Sequence, residues 1–360
     1  MPVKKRPTIK DVARLAGLSL STVSLVINER GYVSEETRKK VLQVVQKLSY
    51  HPTRSARGLA SKTSGNIGFI LSEDHFSQAE PFYTRIFLGT EFEARNHNYY
   101  VLLTTVGKHF TRRNSEFPRF LLERNVDGVI IAGKVDERLV DYIDSLGLPL
   151  VLVDYELPRR RVSSVLIDNR KGGHEATLHL LQAGHKDIGF IGGDLEHPSI
   201  AERFSAYKET LTENGITIND NLVVVDEKDT QLHNGYAAIK KLLAKGGKPS
   251  AIFAANDAMA IGCMRYLRQA GIKIPEDIAV VGFDDIDMSS HVEPRLTTVR
   301  VFKEEMGKLA VQRLVEVFKT KSKTVVTTLV PVELTVRESS RASVPSTSED
   351  LVLSAGDLPI

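Results

Sequence analysis

Hydrophobic and polar positions follow two different patterns along the chain, and the change falls near Gly65. Before it, apolar residues recur every three or four positions in short segments, which is typical of amphipathic helices. After it, apolar runs of strand length alternate with longer amphipathic segments. This succession predicts a small helical head followed by a larger α/β body.

Residues 8–28, TIKDVARLAGLSLSTVSLVIN, are predicted to form two short helices joined by a tight turn. Thr8 and Asp11 have the spacing of a capping box at the start of the first helix. Gly17 can adopt the left-handed conformation that ends this helix, and Ser19 is placed to cap the next. The pattern predicts a helix-turn-helix, whose second helix can enter a DNA major groove.

A third helix is predicted in SEETRKKVLQVVQKLSY, where Ser34 is the cap and Pro52 follows the end. Its expected packing face consists of Val41, Leu42, Val45 and Leu48. The next segment, TRSARGLAS, is short, basic and contains Gly58. It is predicted to be a linker that becomes helical only when a surface supports it.

The body contains eight apolar runs that are predicted to be strands: residues 67–71, 100–105, 127–133, 148–154, 187–193, 221–226, 251–257 and 278–285. Runs that are apolar throughout indicate parallel strands buried on both faces by helices. Because eight strands with their helices are more than a single hydrophobic core usually accommodates, the body is predicted to have two similar α/β lobes.

Composition and charge narrow the function. Residues 1–62 carry 13 Lys/Arg and 4 Asp/Glu, whereas the remainder of the chain is mildly acidic. A basic head on such a body is the electrostatic pattern of a nucleic-acid-binding module. No run is long enough for a membrane span and no signal peptide is evident, so a cytoplasmic protein is expected. The single Cys263 excludes an internal disulfide and is expected to be a small core residue.

The order of several motifs resembles that in the lac-repressor (LacI/GalR) family of bacterial transcription regulators. These motifs are the opening helix pair, RSARGLAS, LLQAGHKDIGFIGG, AANDAMAIG, VVGFDD and PRLTTV. The resemblance covers residues 7–338 approximately. It implies a DNA-binding head, a hinge helix and a two-lobed body like the periplasmic sugar-binding proteins. It also implies a homodimer that binds a near-palindromic operator. The last residues lack the heptads of family tetramers, which favours a dimer.

The implied boundaries are a head at 1–52, a hinge at 53–61, a body at 64–338 and a mobile tail at 339–360. Lobe 1 would contain residues 64–163 and 292–324, and lobe 2 residues 164–291 and 325–338. The chain would therefore cross between the lobes near residues 163, 291 and 325.

The resemblance and the helix faces together assign the candidate DNA-binding residues. Lys and Arg in the head would neutralise phosphates, whereas Leu20, Ser21 and Leu25 match the specificity positions. Leucine cannot make the bidentate contact of arginine to guanine, so the two leucines are expected to contact thymine methyl groups. Leu25 could instead pack inside the head. Leu59 matches the residue that wedges into the minor groove. The full set is Thr8, Ser19, Leu20, Ser21, Thr22, Ser24, Leu25, Asn28, Arg54, Ser55, Arg57 and Leu59.

Candidate effector-binding residues come from predicted strand ends, where ligands bind in open α/β sheets, from the aromatic residues, and from the resemblance, which implies that Arg203 holds the effector. They are Asp74, Phe82, Asp154, Arg203, Asn256 and Asp284. Carboxylates, an amide and a guanidinium suit vicinal hydroxyl groups, so a sugar or sugar derivative is expected. With no Trp in the chain, the apolar face of a sugar would need one of Phe76, Phe82, Tyr83, Tyr155 or Phe283. Asp257 has the alternative role of a helix cap.

These features predict a DNA-binding transcriptional repressor controlled by a sugar-like effector. The alternative is a sugar receptor without DNA regulation, which the basic head disfavours. An enzyme is not expected, because no nucleophile elbow, phosphate loop, zinc spacing or GxGxxG appears. Neither a cofactor nor a metal is expected.

Overall fold

A computed structural model describes residues 7–27, 31–50, 63–73, 82–107, 117–157 and 159–340. The first two ranges form a head of three helices, α1 (Ile9–Ala16), α2 (Leu20–Ile27) and α3 (Glu35–Lys47). Val12, Val23 and Val41 contribute one fully buried side chain from each helix to its core. The head thus closes on its own small apolar cluster.

The predicted caps of the head are present. The Thr8 hydroxyl and the Asp11 carboxylate form a capping box at the start of α1, and Gly17 ends this helix with a φ of 63°. The Ser19 hydroxyl accepts from the Thr22 amide at 3.1 Å, and Ser34 caps α3. One packing prediction is wrong: Leu42 is half exposed, and Val44, one turn of α3 after Val41, packs on the head core instead.

Lobe 1 is built on a six-stranded sheet of order β11-β5-β4-β3-β1-β2, in which all neighbouring strands are parallel. The strands are β1 (Asn66–Ser72), β2 (Tyr100–Val106), β3 (Gly128–Ala132), β4 (Leu150–Val153), β5 (Ser163–Ile167) and β11 (Thr327–Val330). Its helices are α4 (Phe82–Asn96), α5 (Arg119–Leu122), α6 (Glu137–Ser145) and α11 (Lys303–Thr320).

Lobe 2 is built on a second six-stranded sheet, of order β12-β10-β9-β8-β6-β7, in which β12 is antiparallel. The strands are β6 (Ile188–Gly193), β7 (Val223–Glu227), β8 (Ala251–Ala254), β9 (Ala279–Asp284), β10 (Thr297–Val301) and β12 (Val332–Thr335). Its helices are α7 (Asn169–Gln182), α8 (Pro198–Glu213), α9 (Leu232–Ala244) and α10 (Asp257–Gln269). The predicted α/β fold class with a helix-turn-helix head and two lobes is confirmed.

Glycines allow a pair of helices in each lobe to cross at backbone distance. A Cβ atom at Gly89 of α4 would lie 1.9 Å from the carbonyl oxygen of Glu304 on α11. In lobe 2, a Cβ at Gly262 of α10 would lie 2.0 Å from the carbonyl oxygen of Leu232 on α9. Only glycine fits such crossings without moving the helices.

The predicted lobe boundaries are each too early in the chain. Strand β5 belongs to lobe 1, so the first crossing follows Ile167 rather than residue 163. Strand β10 belongs to lobe 2, which moves the second crossing to Phe302. Strand β11 completes lobe 1, so the third crossing is at Pro331. Each crossing therefore lies at the carboxyl end of a strand, where the two lobes face each other.

The predicted start of the tail is also wrong. Ser339 and Ser340 lie in a short 3-10 helix, Glu338–Ser340, and are buried. The Ser339 hydroxyl donates to the Val280 carbonyl at 2.6 Å and accepts from the Thr297 amide. Residues 341–360 lie outside the described part of the chain. No helix among the described residues combines the length and apolar character of a membrane span.

Candidate functional site

The outer face of α2 presents two leucines to solvent. Leu20 and Leu25 are 45% and 39% exposed, whereas Val23 and Val26 on the opposite face are buried. Ser21 is exposed between the two leucines. Neither leucine belongs to the apolar cluster of the head core or packs against it. The alternative interpretation of Leu25 as a core residue is therefore not supported.

Several polar groups of the head already bond to each other. The Ser19 hydroxyl lies 2.8 Å from the hydroxyls of both Ser21 and Thr22, and Thr8 bonds to Asp11 at the start of α1. Ser24 lies half-buried on α2. The predicted DNA-binding residues Asn28, Arg54, Ser55, Arg57 and Leu59 lie outside the described residues.

A second candidate site lies between the lobes, where the strands end. On lobe 1, Asp154 directly follows β4 and adopts a φ of 58°, a left-handed conformation that aspartate tolerates better than most residues. Its carboxylate accepts a hydrogen bond of 2.9 Å from the Tyr83 hydroxyl. Ser199, on lobe 2, donates to the same carboxylate at 3.2 Å. The polar groups of the two lobes therefore meet at Asp154.

Arg203 of α8 is the centre of the lobe 2 half. It is buried, and it donates to the Asn169 side-chain oxygen at 2.9 Å and to the Ala255 carbonyl at 2.7 Å. Its guanidinium carbon lies 3.6 Å from the centroid of the Phe283 ring. These contacts fix the plane of the guanidinium, which leaves Nη2 directed at Asp284. The ring of Phe283 is covered by Arg203 and is not open to a sugar.

Asp284 ends β9 with a φ of 110°, a conformation rare for any residue except glycine. Its Oδ1 is 3.5 Å from Arg203 Nη2, too far for a well-formed hydrogen bond. This oxygen is buried and has no hydrogen-bond partner among the described residues. Burial raises the pKa of the Asp284 carboxyl to about 6, although Arg203 and Lys303 act against the rise. A buried oxygen in this state favours a hydrogen-bond donor from a ligand.

His197, immediately before α8, is a further residue of this site that the sequence did not single out. Its Nδ1 is buried and has no hydrogen-bond partner among the described residues. Burial lowers the pKa of this imidazole, while the nearby Asp154 opposes the shift. The neutral imidazole can accept or donate one hydrogen bond at Nδ1. The only available signal was its position before Pro198, where a helix begins beyond a strand end.

Tyr83 and Phe82 supply the aromatic surface of the site. Their rings are 5.0 Å apart and nearly perpendicular, and Phe82 is buried. Burial, with Asp154 as a second cause, raises the pKa of Tyr83 well above its usual value, so the hydroxyl stays protonated. Tyr155 instead packs in the core of lobe 1. Asp74 and Phe76 lie outside the described residues.

The helix α10 is capped by Asn256 and not by Asp257, for which the sequence had suggested this role. Asn256 is the N-cap of α10, where its side-chain oxygen accepts from the Met259 amide at 2.9 Å. Asp257 is fully buried and accepts from the Ile286 amide at 2.9 Å and from the Thr298 hydroxyl. Asp257 therefore holds the loop after β9, and with it Asp284, in place. The Asn256 amide nitrogen also donates to the Thr230 carbonyl at 3.1 Å.

The buried Lys303 stabilises the turn that presents Asp284. Its ammonium group donates to the backbone carbonyls of Asp284, Asp285 and Val301. Burial lowers the pKa of Lys303, although the three neighbouring aspartates act against this shift. Since Lys303 begins α11 of lobe 1, it connects this turn to the other lobe.

The site has the chemistry of a binding pocket for hydroxyl groups. It combines carboxylates, a fixed guanidinium and an aromatic pair with two buried polar atoms that have no hydrogen-bond partner among the described residues. No group of three or more metal-ligating side chains occurs within the described ranges.

Two parts of the chain match models of known protein families. Residues 8–53 match the family model of bacterial regulatory proteins, lacI family, and residues 177–340 match that of a periplasmic binding protein-like domain. A repressor from Photobacterium profundum, HTH-type transcriptional repressor PurR, is 34% identical over 318 residues, covering 88% of this chain and 93% of the relative.

Two solved structures are similar over nearly the whole chain. A complex of the transcriptional regulator CelR with cellobiose has a TM-score of 0.69 and 33% identity, covering 93% of this chain and 100% of the other. The lac repressor dimer bound to operator and the anti-inducer ONPF has a TM-score of 0.79 and 29% identity, covering 94% and 100%.

Proposed function

The chain belongs to the lacI family of bacterial regulatory proteins, and we propose that it is a transcriptional repressor whose operator affinity depends on a sugar or sugar derivative. The observation that carries the second half of this proposal is the pair of buried polar atoms, Asp284 Oδ1 and His197 Nδ1, that have no hydrogen-bond partner among the described residues. Both belong to the cluster where the lobes meet. The cellobiose bound to a relative supports a carbohydrate.

At the DNA end, α2 would read the operator by apolar contact. Leu20 and Leu25 would lie against thymine methyl groups in the major groove, with Ser21 between them. The exposed fractions of the two leucines support this assignment. Basic residues of the head would bind phosphates without sequence preference. Leu59 would insert at the operator centre, as its place in the sequence motif suggests.

At the effector end, Arg203 and Asp284 would bind adjacent hydroxyls of the ligand. The guanidinium donates and the carboxylate accepts, so a pair of vicinal hydroxyls satisfies both groups. Asp154 would accept from a third hydroxyl, and Phe82 or Tyr83 would contact the apolar face of the ring. A site with buried groups of this kind discriminates strongly against ligands that leave them unpaired.

The two ends would communicate through the position of the lobes. Polar contacts between lobe 1 and lobe 2 include those of Ser199 with Asp154, Lys134 with Glu196 at 3.6 Å, and Arg85 with Asp287 at 3.0 Å, in addition to those of Lys303 described above. A ligand that prefers one arrangement of the lobes shifts the equilibrium toward it. If operator DNA prefers one arrangement too, the two affinities are linked reciprocally.

The relatives supply further parts of the proposal. The lac repressor binds its operator as a dimer, so we propose a homodimer and a near-palindromic operator for this chain. The relatives named as repressors act on DNA, which favours a cytoplasmic protein without enzymatic activity. The boundaries proposed for this chain are a head to residue 52, a hinge at 53–61 and the two lobes as corrected above.

The test begins with selection of genomic fragments that bind the purified protein. Recovery of a common near-palindromic site, and a change in its affinity on addition of sugars connected with the neighbouring genes, are the expected results. Binding of a sugar without any sequence-selective DNA binding would instead identify a sugar receptor. Turnover of the sugar, abolished by Asp284→Asn, would identify an enzyme.

A further inference from the structure

Lobe 1 is tethered to the head at the end where its strands begin. Strand β1 starts at Asn66, and the backbone just before it is held by Asp127, whose carboxylate accepts from the Ser64 and Gly65 amides at 2.7 and 2.8 Å. Tyr50 is buried in the head core. The chain between Tyr50 and Ser64 spans at most about 50 Å even when fully extended. DNA held by the head can therefore reach this side of lobe 1.

This end of lobe 1 carries a set of exposed basic side chains, which we call the basic rim. Arg124 precedes β3, two arginines precede β5, one lysine lies in the last turn of α11, and two more lie between α11 and β11. The basic rim consists of Arg124, Arg159, Arg161, Lys319, Lys321 and Lys323, all of which are exposed.

The segments that carry the basic rim are held together. The amide of Val326 donates to the Ser163 hydroxyl at 3.2 Å, and the Ser164 amide donates to the Val326 carbonyl at 3.0 Å. The arginine segment faces this strand start across a cavity of about 600 Å³. Phe318, one residue before the lysines, packs over Gly128 at the start of β3. The rim therefore follows one edge of the molecule from β3 to β11.

Four acids near the basic rim are already paired with other arginines. Glu123 pairs with Arg119 at 2.6 Å, Asp141 and Asp144 both pair with Arg160, and Glu316 pairs with Arg313. Among the described residues, none of the six rim side chains is in an ion pair. Glu156 lines the cavity and offsets one rim charge. The rim therefore keeps a clear positive excess.

We propose that the basic rim is a second DNA contact of this protein, which binds phosphates of the duplex on either side of the operator. The inference rests on the proposed function, because the head must first bring DNA to this end of lobe 1. Attraction between the rim and phosphates acts over the Debye length, about 10 Å at 0.1 M salt. It carries no sequence information and adds affinity and association rate.

The test compares two duplexes that contain the operator found by genomic selection. One duplex ends at the operator, and the other continues for a helical turn or more on both sides. If the basic rim of each protomer in a dimer neutralises one phosphate, two phosphates are contacted in total. The slope of log K against log salt concentration should then be steeper by about 2 for the longer duplex. The variant R159A/R161A/K321A/K323A should lose this extra slope and bind both duplexes alike.

Two further variants separate charge from structure. The matched control K186A/K248A removes exposed lysines at the far end of lobe 2, and it should keep the preference for the longer duplex. The variant R159K/R161K keeps the charge and should behave as the unchanged protein. Equal binding of both duplexes by the unchanged protein would overturn the inference, as would an equal loss on the short duplex in the rim variant. Absence of selective binding to the short duplex would instead refute the proposed function.

Discussion

The Ser199 hydroxyl on lobe 2 donates a hydrogen bond of 3.2 Å to the Asp154 carboxylate on lobe 1. The same carboxylate accepts from Tyr83 at 2.9 Å. A ligand hydroxyl that approaches Asp154 therefore competes with, or adds to, a bond between the lobes. The polar cluster that binds the effector in our proposal is in this way also part of the contact that sets the lobe arrangement.

Replacement of Arg203 by alanine should abolish sugar binding and lower the unfolding free energy of the protein. The change leaves Asp284 and the Asn169 oxygen buried without the partner that Arg203 provides. Removing one member of a buried charged pair costs about 3–5 kcal/mol of unfolding free energy. Urea unfolding and calorimetric titration with the identified sugar measure the two effects. The control R265A, an exposed arginine of α10, should change neither. Unchanged stability in R203A would contradict the proposed packing role.

The stability of the protein should depend on pH through Asp284. Its pKa is about 6 in the folded protein against an ordinary 3.8, so the folded state binds this proton more tightly than the unfolded chain. The contribution of this carboxyl to the unfolding free energy is therefore greatest below about pH 4 and is lost as the pH rises to about 6. Relative to D284N, the unchanged protein should lose up to about 3 kcal/mol across this window.

Urea titrations at a series of pH values measure the effect, with E213Q at an exposed position of α8 as the control. A difference between the unchanged protein and D284N that does not vary between pH 4 and pH 6.5 would show that the carboxyl titrates normally.

Arg85 should influence communication between the two ends more than stability. It bonds to Asp287 on lobe 2 and to Glu304 on lobe 1, each at 3.0 Å, but it is 41% exposed. Such a pair contributes about 1 kcal/mol or less to folding. R85A should therefore unfold much like the unchanged protein, while the ratio of operator affinities with and without sugar changes several-fold. The control R295A breaks an exposed pair with Glu338 inside lobe 2 and should leave this ratio unaltered.

Leu20 should recognise thymine through its methyl group. Replacing a contacted thymine by deoxyuridine removes only that methyl and should weaken binding by about 1 kcal/mol, at the lower end for a base contact. L20A should bind the thymine and uracil operators equally, because the side chain that senses the methyl is gone. Fluorescence anisotropy on the four protein and DNA combinations gives the coupling. If the losses of binding free energy caused by L20A and by deoxyuridine simply add, Leu20 does not contact the methyl group directly.

The crossing of α4 and α11 should not tolerate a methyl group at Gly89. The added Cβ would lie 1.9 Å from the Glu304 carbonyl oxygen, so one helix must move. Overpacking of this kind costs about 1–3 kcal/mol, and backbone contact places G89A at the upper end. Thermal unfolding measures the loss. Gly107 has open space around its Cβ position, so G107A should unfold like the unchanged protein.

The sequence pattern found the eight strands that are rich in Val, Ile and Phe but missed four. Strand β5 reads SSVLI, β10 reads TTVRV, and β11 and β12 are only four residues each. Short strands with Ser and Thr give little hydrophobic signal, and all four border a crossing between the lobes. For this reason the fold class was predictable, whereas the positions of the crossings were not.

The candidate site shows a similar division. Motif order located Asp154, Arg203 and Asp284, which the structure brings into one cluster. The roles of Asn256 and Asp257 could not be separated, because both residue types are good caps and only the packing of Asp257 against Thr298 decides between them. His197 gave no pattern, since its importance comes from the burial of a single atom.

The three crossings between the lobes have a consequence for synthesis of the protein. The head is complete after about fifty residues, but neither sheet is complete until β11 and β12 have been made. At roughly 5–20 residues per second, a nascent chain carries a finished head for some 15–60 s before its sensor can close. During that interval a protein still on the ribosome holds a folded helix-turn-helix that no effector can control. Control of the head by an effector begins only when both lobes have been synthesised and have folded.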